Sequence, residues 1–343
     1  MELKQRFLAS FPTSFFLEKK DALVEEYLRK QKWIKPTEKV LSLEKPGEGN
    51  MNFVLRVKTN QGSFIIKQAR PWVEKFPQIP APVERAGVEA QFFQTLAANP
   101  VFSDYNPTCL GYDKASFILA TEDLGEGTDY SFLYQENVQL AQNELQSIAQ
   151  FLSTLHQLKP PADFPQNKAM RLLNHEHIFN FPFSLDNGFD LDEVQVGLQE
   201  IALPFKKDTA LKTLIQKTGD LYLSQGKHLL HGDFYPGSWL KTETGLKIID
   251  PEFAFVGPAE FDVGVLMAHL MMAQQTSDSI KQFLVNYSMT ANFNKALLAH
   301  FTGIEILRRL IGIAQLPLKL TLLEKKELLE RAAKYIKTEE FGF

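Results

Sequence analysis

Three carboxylates stand where their spacing has chemical meaning. Asp233 lies in the run His231-Gly232-Asp233-Phe234-Tyr235-Pro236-Gly237-Ser238, and Asp250 and Glu252 in Ile249-Asp250-Pro251-Glu252. A carboxylate on a tight loop can orient a hydroxyl and take its proton. Two more at the end of the next strand can hold Mg²⁺, a hard cation that takes one or two carboxylates plus substrate phosphates. Phosphoryl transfer of the kinase type divides its labour in this way. Ser238 follows Asp233 by five residues, the offset of the metal-binding Asn in H-R-D-L-x-x-x-N; Gly232 replaces Arg and Ser238 replaces Asn, so that metal ligand is a hydroxyl. Trp239 to Thr242, a turn at Glu243-Thr244-Gly245 and Leu246 to Ile249 predict a hairpin linking the two acidic sites. Asp250 precedes a proline, which predicts an extended backbone there and a carboxylate held at a strand terminus. Either run alone is an ordinary turn sequence; in this order, joined by a hairpin, they predict an ATP-dependent phosphotransferase that uses Mg²⁺.

Such chemistry needs phosphate-binding groups, and the first third of the chain offers them in the expected order. Gly47-Glu48-Gly49-Asn50-Met51-Asn52 separates apolar Val40-Leu41-Ser42-Leu43 from Phe53-Val54-Leu55-Arg56-Val57. Glycines between two strands predict a flap whose backbone N–H groups cover phosphates; a dinucleotide fold or a Walker loop would place a helix after them. Gly47, Gly49, Asn50 and Asn52, the last standing where a third glycine is usual, are its candidate nucleotide contacts. Ser63-Phe64-Ile65-Ile66-Lys67 reads as the return strand, and Lys67 as the cation for the α and β phosphates. A helix opening at Pro82 carries Glu84 and Glu89. At about 100° per residue the two lie roughly 140° apart, so only one can face the strand. Glu89, beside the apolar stripe of Ala86, Phe92, Phe93 and Leu96, is the partner for Lys67, and Glu84 serves the helix dipole. Ser116 to Thr121 is the last strand of this region. It leads into Glu122-Asp123-Leu124-Gly125, a hinge at which Glu122 and Leu124 would offer backbone groups to adenine.

The whole chain is consistent with two lobes: 343 residues, 44% apolar and 23% charged. The fold class expected is α+β, with a small antiparallel-sheet lobe over residues 1–122 and a larger, mainly helical lobe over 123–343. A helix starting near Lys20, with Leu23, Val24, Tyr27, Leu28 and Trp33 on one face, should pack on the strands that follow. Beyond Gly125 the pattern is helical, interrupted by the hairpin. One helix carries Leu145, Ile148, Ala149, Leu152 and Leu155 and is expected to start at Asn143 with an Asn-x-x-Gln cap. A net charge of -4 argues against a nucleic-acid partner. No apolar run is long enough to span a bilayer, and Met1 to Arg6 lacks the apolar core of a secretory signal, so a cytoplasmic protein without a membrane partner is expected. A single cysteine, Cys109, fits a reducing compartment and a packing role. Nothing in the sequence specifies an oligomeric state. His156 and His231 read as structural histidines, and Asp262 in Phe261-Asp262-Val263-Gly264 as an anchor for the catalytic-loop backbone.

This ordered set resembles the aminoglycoside phosphotransferase and choline kinase superfamily, whose fold is protein-kinase-like, and within it most closely the 5-methylthioribose kinase branch. The likeness covers most of the chain. It is carried by Gly47 to Asn52, Ile66-Lys67-Gln68-Ala69, Arg85 with Val88-Glu89-Ala90, Glu122-Asp123-Leu124, and His231-Gly232-Asp233 with Gly237-Ser238. Its most specific part is Asp250-Pro251-Glu252-Phe253-Ala254-Phe255-Val256-Gly257-Pro258, followed by Phe261-Asp262-Val263-Gly264. Ser238 in place of Asn is shared with that branch. The resemblance implies Asp233 as the base acting on a small-molecule hydroxyl acceptor, a sugar such as methylthioribose or a relative, with Asp250 and Glu252 as Mg²⁺ ligands. Glu305-Ile306-Leu307-Arg308-Arg309-Leu310-Ile311-Gly312 is similar to the branch's substrate-site helix. An exposed helix with a Glu305 to Arg309 i,i+4 pair reads equally well from the residues and would leave Arg308 the freer substrate candidate. The chain departs from the branch at Tyr235-Pro236, where His-Thr is expected, and in a shorter stretch between Met272 and Phe301. Two other readings stand beside this one: an aminoglycoside- or choline-type kinase, which would want an acidic acceptor pocket, and a catalytically silent nucleotide-binding protein on the same fold.

Overall fold

The computed structural model describes residues 3–47, 51–135 and 138–341. The chain forms two compact units: residues 1–127 together with Ile249–Phe253, and residues 128–248 together with 254–343. A single cut between residues 122 and 123 follows chain order. By compactness the first unit runs on to Gly127 and takes in the five residues that carry Asp250 and Glu252.

The first unit is built on a five-stranded antiparallel sheet in the order β1-β2-β3-β5-β4: β1 (Val40–Glu44), β2 (Phe53–Thr59), β3 (Ser63–Gln68), β4 (Cys109–Asp113) and β5 (Ile118–Glu122). Strand alternation sorts β3 into two faces. Phe64 and Ile66 point into an apolar cluster with Leu55, Val57, Ile118 and Ala120, and α2 (Asp21–Lys30) covers that cluster with Val24, Tyr27 and Leu28. Lys67 therefore points to the other face, toward α3 (Arg85–Leu96). The helix expected near Lys20 is α2, and α1 (Leu3–Ser10), too short to show a clear period, precedes it. The helix expected to open at Pro82 opens at Arg85 after a turn, and the Pro82 carbonyl accepts from the Arg85 guanidinium at 2.6 Å. Glu84 is its N-cap residue and is exposed.

In the second unit α4 (Gln142–Gln157), α5 (Lys168–His175), α6 (Leu198–Lys207), α7 (Thr209–Leu223), α8 (Glu260–Met272), α9 (Ser277–Asn286), α10 (Lys295–Ile311) and α11 (Leu322–Thr338) form the bulk. α4 starts two residues earlier than its Asn-x-x-Gln pattern suggests: the Ala141 N–H donates to the Glu144 carboxylate at 2.8 Å, so Glu144 and not Gln146 closes the cap. After the short strand β6 (Gly127–Asp129), four more strands punctuate the helices: β7 (His228–Leu230), β8 (Trp239–Thr242), β9 (Gly245–Ile248) and β10 (Phe255–Gly257). β8 and β9 form the expected hairpin, and β7 pairs antiparallel with β10, a pairing too short to announce itself in the sequence. α8 is buried along its whole length against α10; at Gly264 a Cβ would lie 2.6 Å from the Phe301 Cβ, so only glycine permits this approach. Asn294 caps α10 by accepting from the N–H groups of Ala296 and Leu297. No helix among the described residues is long and apolar enough to cross a membrane.

Candidate functional site

In the first unit the sheet, α3 and the returning segment Ile249–Phe253 assemble one ionic cluster. Lys67 Nζ lies 2.9 Å from the Glu89 carboxylate and 2.6 Å from Asp250 Oδ1, so the strand lysine bridges the helix carboxylate and the loop carboxylate. Glu89 and Lys67 are buried, whereas the Asp250 side chain is 49% exposed. Burial pushes the Lys67 ammonium down, but Asp250, Glu89 and Glu252 overcome it and hold the group above its ordinary range. For Glu89 burial wins: desolvation, helped by Asp250 and Glu252 and opposed by Lys67, pushes the carboxyl up to about 7. Asp250 has φ of +61°, not the extended backbone its proline neighbour implies. Left-handed backbone costs of the order of 1 kcal/mol or more outside glycine, though Asp tolerates it better than most residues. Here it accompanies the ion pair of this carboxylate with Lys67.

Glu252 is buried, and Arg85, fully buried at the start of α3, holds it with an Nε to Oε2 distance of 3.2 Å. Asn52 bridges the pair: its amide nitrogen donates to Glu252 Oε2 at 2.7 Å and its oxygen accepts from Arg85 Nε at 2.9 Å. Arg85 also donates to the carbonyls of Met51 and Arg70. A lone arginine in a helix's first turn carries no sequence signal for such a role, and the total burial of Arg85 reveals it. Asn52, expected as a flap residue facing phosphates, turns its side chain into this network. Gly47 is exposed with open space around its Cα. Gly49 and Asn50 lie outside the described residues. At the hinge, Glu122 turns its carboxylate to Thr108, whose hydroxyl donates at 2.9 Å, and Leu124 is half-buried. Arg56 fixes the turn beyond by pairing with Asp123 at 2.9 Å and donating to the Gly125 carbonyl at 2.8 Å.

In the second unit the catalytic-loop candidate hangs from Asp262, as expected. Its carboxylate accepts from the backbone N–H groups of His231 at 2.7 Å and Gly232 at 2.9 Å, and His156 Nε2 lies 3.3 Å from it. Gly232, at φ +84°, supplies the turn that brings Asp233 out, with its side chain 23% exposed. Ser238 is buried, and its hydroxyl donates to the Asp233 carbonyl at 2.8 Å. The hydrogen of the expected metal ligand is thus spent on the loop, leaving only lone pairs for a cation.

Arg308 and Arg309 reach the same carboxylate from α10, with terminal nitrogens 3.9 and 3.5 Å from Asp233 Oδ1. The helix that carries them is not exposed: Glu305, Arg308 and Arg309 are all buried. Nor is Arg308 freer than Arg309. Its Nε donates to Glu305 Oε2, while Arg309 Nε donates to Glu305 Oε1 at 2.8 Å, so one carboxylate holds both by offsets of three and four residues. Burial would push the Glu305 carboxyl up, but the two guanidinium groups and a bond from His269 hold it well below its ordinary range. Tyr235 fills the space beside them. The Arg309 guanidinium stands 4.9 Å from its ring centroid, and at Gly237 a Cβ would lie 2.5 Å from the tip of the ring. No group of three or more metal-ligating His, Cys, Asp or Glu side chains occurs among the described residues. Cys109 is half-buried, and burial pushes its thiol up, as a packing residue requires.

The family model described as "Phosphotransferase enzyme family" matches residues 43–301. The chain is 28% identical over 251 residues to a methylthioribose kinase of Oryza sativa subsp. japonica, covering 69% of this chain and 57% of that protein. It is 24% identical over 311 residues to a methylthioribose kinase of Bacillus mycoides, covering 78% of each. Against the rice protein the chain spans little more than half the length. Among solved structures it is similar to a choline kinase from Streptococcus pneumoniae, with a TM-score of 0.52 and 15% identity over 92% of this chain and 98% of that one. At that identity the likeness is one of fold: an α+β, protein-kinase-like arrangement with an antiparallel-sheet unit and a mainly helical one.

Proposed function

This chain belongs to the phosphotransferase enzyme family, and from that premise we propose that it moves the γ-phosphoryl group of ATP to a hydroxyl of a small, uncharged, oxygen-rich metabolite, a sugar such as methylthioribose or a relative. The observation that carries the reading is Lys67 bridging Glu89 and Asp250, a cation held ready for phosphate by one buried and one half-exposed carboxylate. In the first unit Lys67 neutralises phosphate charge, Glu89 positions it, and the backbone at Glu122 and Leu124 receives adenine. The donors suit Mg²⁺. They are hard oxygens, and three carboxylates (Glu89, Asp250, Glu252) outnumber two cations (Lys67, Arg85), leaving a negative excess. Asp250 and Glu252 would hold the ion, and bound Mg²⁺ would neutralise charge building on the transferred phosphoryl group. In the second unit Asp233 accepts the hydroxyl proton, while Arg308 and Arg309 meet acceptor oxygens.

The acceptor class follows from charge. Asp233 and Glu305 are balanced by Arg308 and Arg309, which suits a neutral polar ligand and leaves no acidic pocket for choline or an aminoglycoside. An ADP-release assay over methylthioribose, other pentoses, polyols, choline and aminoglycosides tests this. Turnover with a neutral sugar or polyol is the expected result. Preference for a cationic acceptor would overturn the substrate class, and ATP binding without transfer to any acceptor would overturn the enzyme reading.

A further inference from the structure

Two residues that no nucleotide or acceptor role requires stand behind Glu305. His269, from α8, is fully buried. Its Nε2 lies 3.0 Å from Glu305 Oε1, and its Nδ1 lies 2.6 Å from the hydroxyl of buried Tyr134. The hydrogens can be assigned by elimination. An ionised Glu305 only accepts, so Nε2 must carry the imidazole proton; Nδ1 is then an acceptor, and the Tyr134 hydroxyl is its donor. Burial keeps both groups in those forms, pushing His269 down to about 4 and Tyr134 well up. The hydrogens therefore run in one direction, from Tyr134 to His269 to Glu305, where the Nε–H groups of Arg308 and Arg309 also end.

Three donors on one carboxylate fix its plane. With the arginines alone, Glu305 could turn about its last torsion and carry both guanidinium groups with it. The third donor, from another helix, removes that freedom. Resting on the reading of Asp233 and the two arginines as the acceptor side, we propose that His269 is a positioning residue. Through Glu305 it sets the direction in which Arg308 and Arg309 present their terminal nitrogens beside Asp233, and Tyr134 fixes the tautomer that lets it do so.

Three variants of the full chain test this: His269→Leu removes the donor, His269→Gln keeps one for Glu305, and Tyr134→Phe removes only the hydroxyl. With the best acceptor from the panel, His269→Leu should lose at least tenfold in kcat/KM for the acceptor while KM for MgATP stays within twofold. His269→Gln should return to within threefold of wild type, and Tyr134→Phe should fall between. Equal losses in His269→Leu and His269→Gln, or parallel losses for both substrates, would overturn the proposal. Proton exchange at the Arg308 and Arg309 Nε–H groups, followed by ¹⁵N NMR, needs no turnover. It should be slow in wild type and His269→Gln and at least tenfold faster in His269→Leu. If wild type transfers phosphoryl to no acceptor, the functional reading fails, yet unchanged exchange in His269→Leu still decides against positioning. Should His269→Leu not fold, Tyr134→Phe carries the test, and wild-type exchange and kinetics there overturn the relay.

Discussion

Each unit buries a glutamate among ions, and the two behave in opposite ways. Glu89 sits with one lysine that it shares with Asp250, and its carboxyl is pushed up to about 7; Glu305 accepts from the Nε–H groups of two arginines and from a histidine N–H and is held well below the ordinary range. Burial acts on both in the same direction, so the neighbouring charges decide the outcome: one lysine against two carboxylates around Glu89, two arginines and a histidine N–H around Glu305. The first cluster keeps an unneutralised carboxylate, a state that a divalent cation would complete. The second is already balanced, a rigid frame around Asp233. On the function proposed here, the first unit takes a charged ligand and the second a neutral one.

The largest expected effect breaks the two regions apart by function. Asp233→Asn should lower kcat by about 10³-fold or more, the scale of losing a positioned general base, while MgATP affinity stays near wild type. Asp250→Asn should also abolish turnover but weaken nucleotide binding in a Mg²⁺-dependent way. Isothermal titration with MgATP separates them, and equal loss of MgATP affinity in both variants would show that the two clusters do not divide the chemistry as proposed.

Next in size is the cost of removing the second unit's countercharge. Glu305→Gln would leave two buried guanidinium groups with no carboxylate on their Nε atoms, a loss of about 3 to 5 kcal/mol. Chemical denaturation at pH 7 measures it, and a change below about 1 kcal/mol would mean that Asp233 alone balances the arginines. This effect was illegible in the sequence. The two acidic motifs, the hairpin between them, the Lys67 strand and its Glu89 partner are local patterns, readable because strand alternation and helical angle put each side chain on one face. Glu305 with Arg309 also looked local, an exposed i,i+4 pair. What makes it central is burial under α8 and a hydrogen bond from His269, 36 residues away. Arg85 was hidden for the same reason. Its partners Asn52 and Glu252 come from a strand entry and a returning loop, and no periodicity links them to the first turn of α3. Asp250 shows the limit of a local rule, since its backbone is left-handed where the following proline predicts an extended one.

The contrast also has a pH signature. Folding raises the Glu89 pKa, so the native state binds that proton more tightly than the unfolded chain, and the protein loses stability as pH rises from 4.5 to about 7, by about 3 kcal/mol from this group. Folding lowers the Glu305 pKa, so its contribution is full above 4.5 and is lost as pH falls below it. Denaturation midpoints measured without Mg²⁺ should therefore show less decline between these pH values in Glu89→Gln than in wild type. Glu305→Gln should retain the wild-type slope in that window and lose the acid-side one. The same slope in Glu89→Gln and wild type would remove the distinction between the two glutamates.

The smallest effect isolates backbone from charge at Asp250. Asp250→Ala and Asp250→Gly both delete the carboxylate that pairs with Lys67, so they share every electrostatic consequence. They differ in what a φ of +61° demands: alanine has a Cβ that crowds the carbonyl in the left-handed region, and glycine does not. Glycine regains unfolded-state entropy that partly offsets this advantage, leaving Asp250→Gly more stable than Asp250→Ala by about 1 kcal/mol. Thermal or urea unfolding of the two variants, in the same buffer and without Mg²⁺, gives the difference directly. If Ala equals or exceeds Gly, the loop relaxes to an extended form once the ion pair is gone, and Lys67 rather than the surrounding chain is what holds Asp250 in its strained conformation.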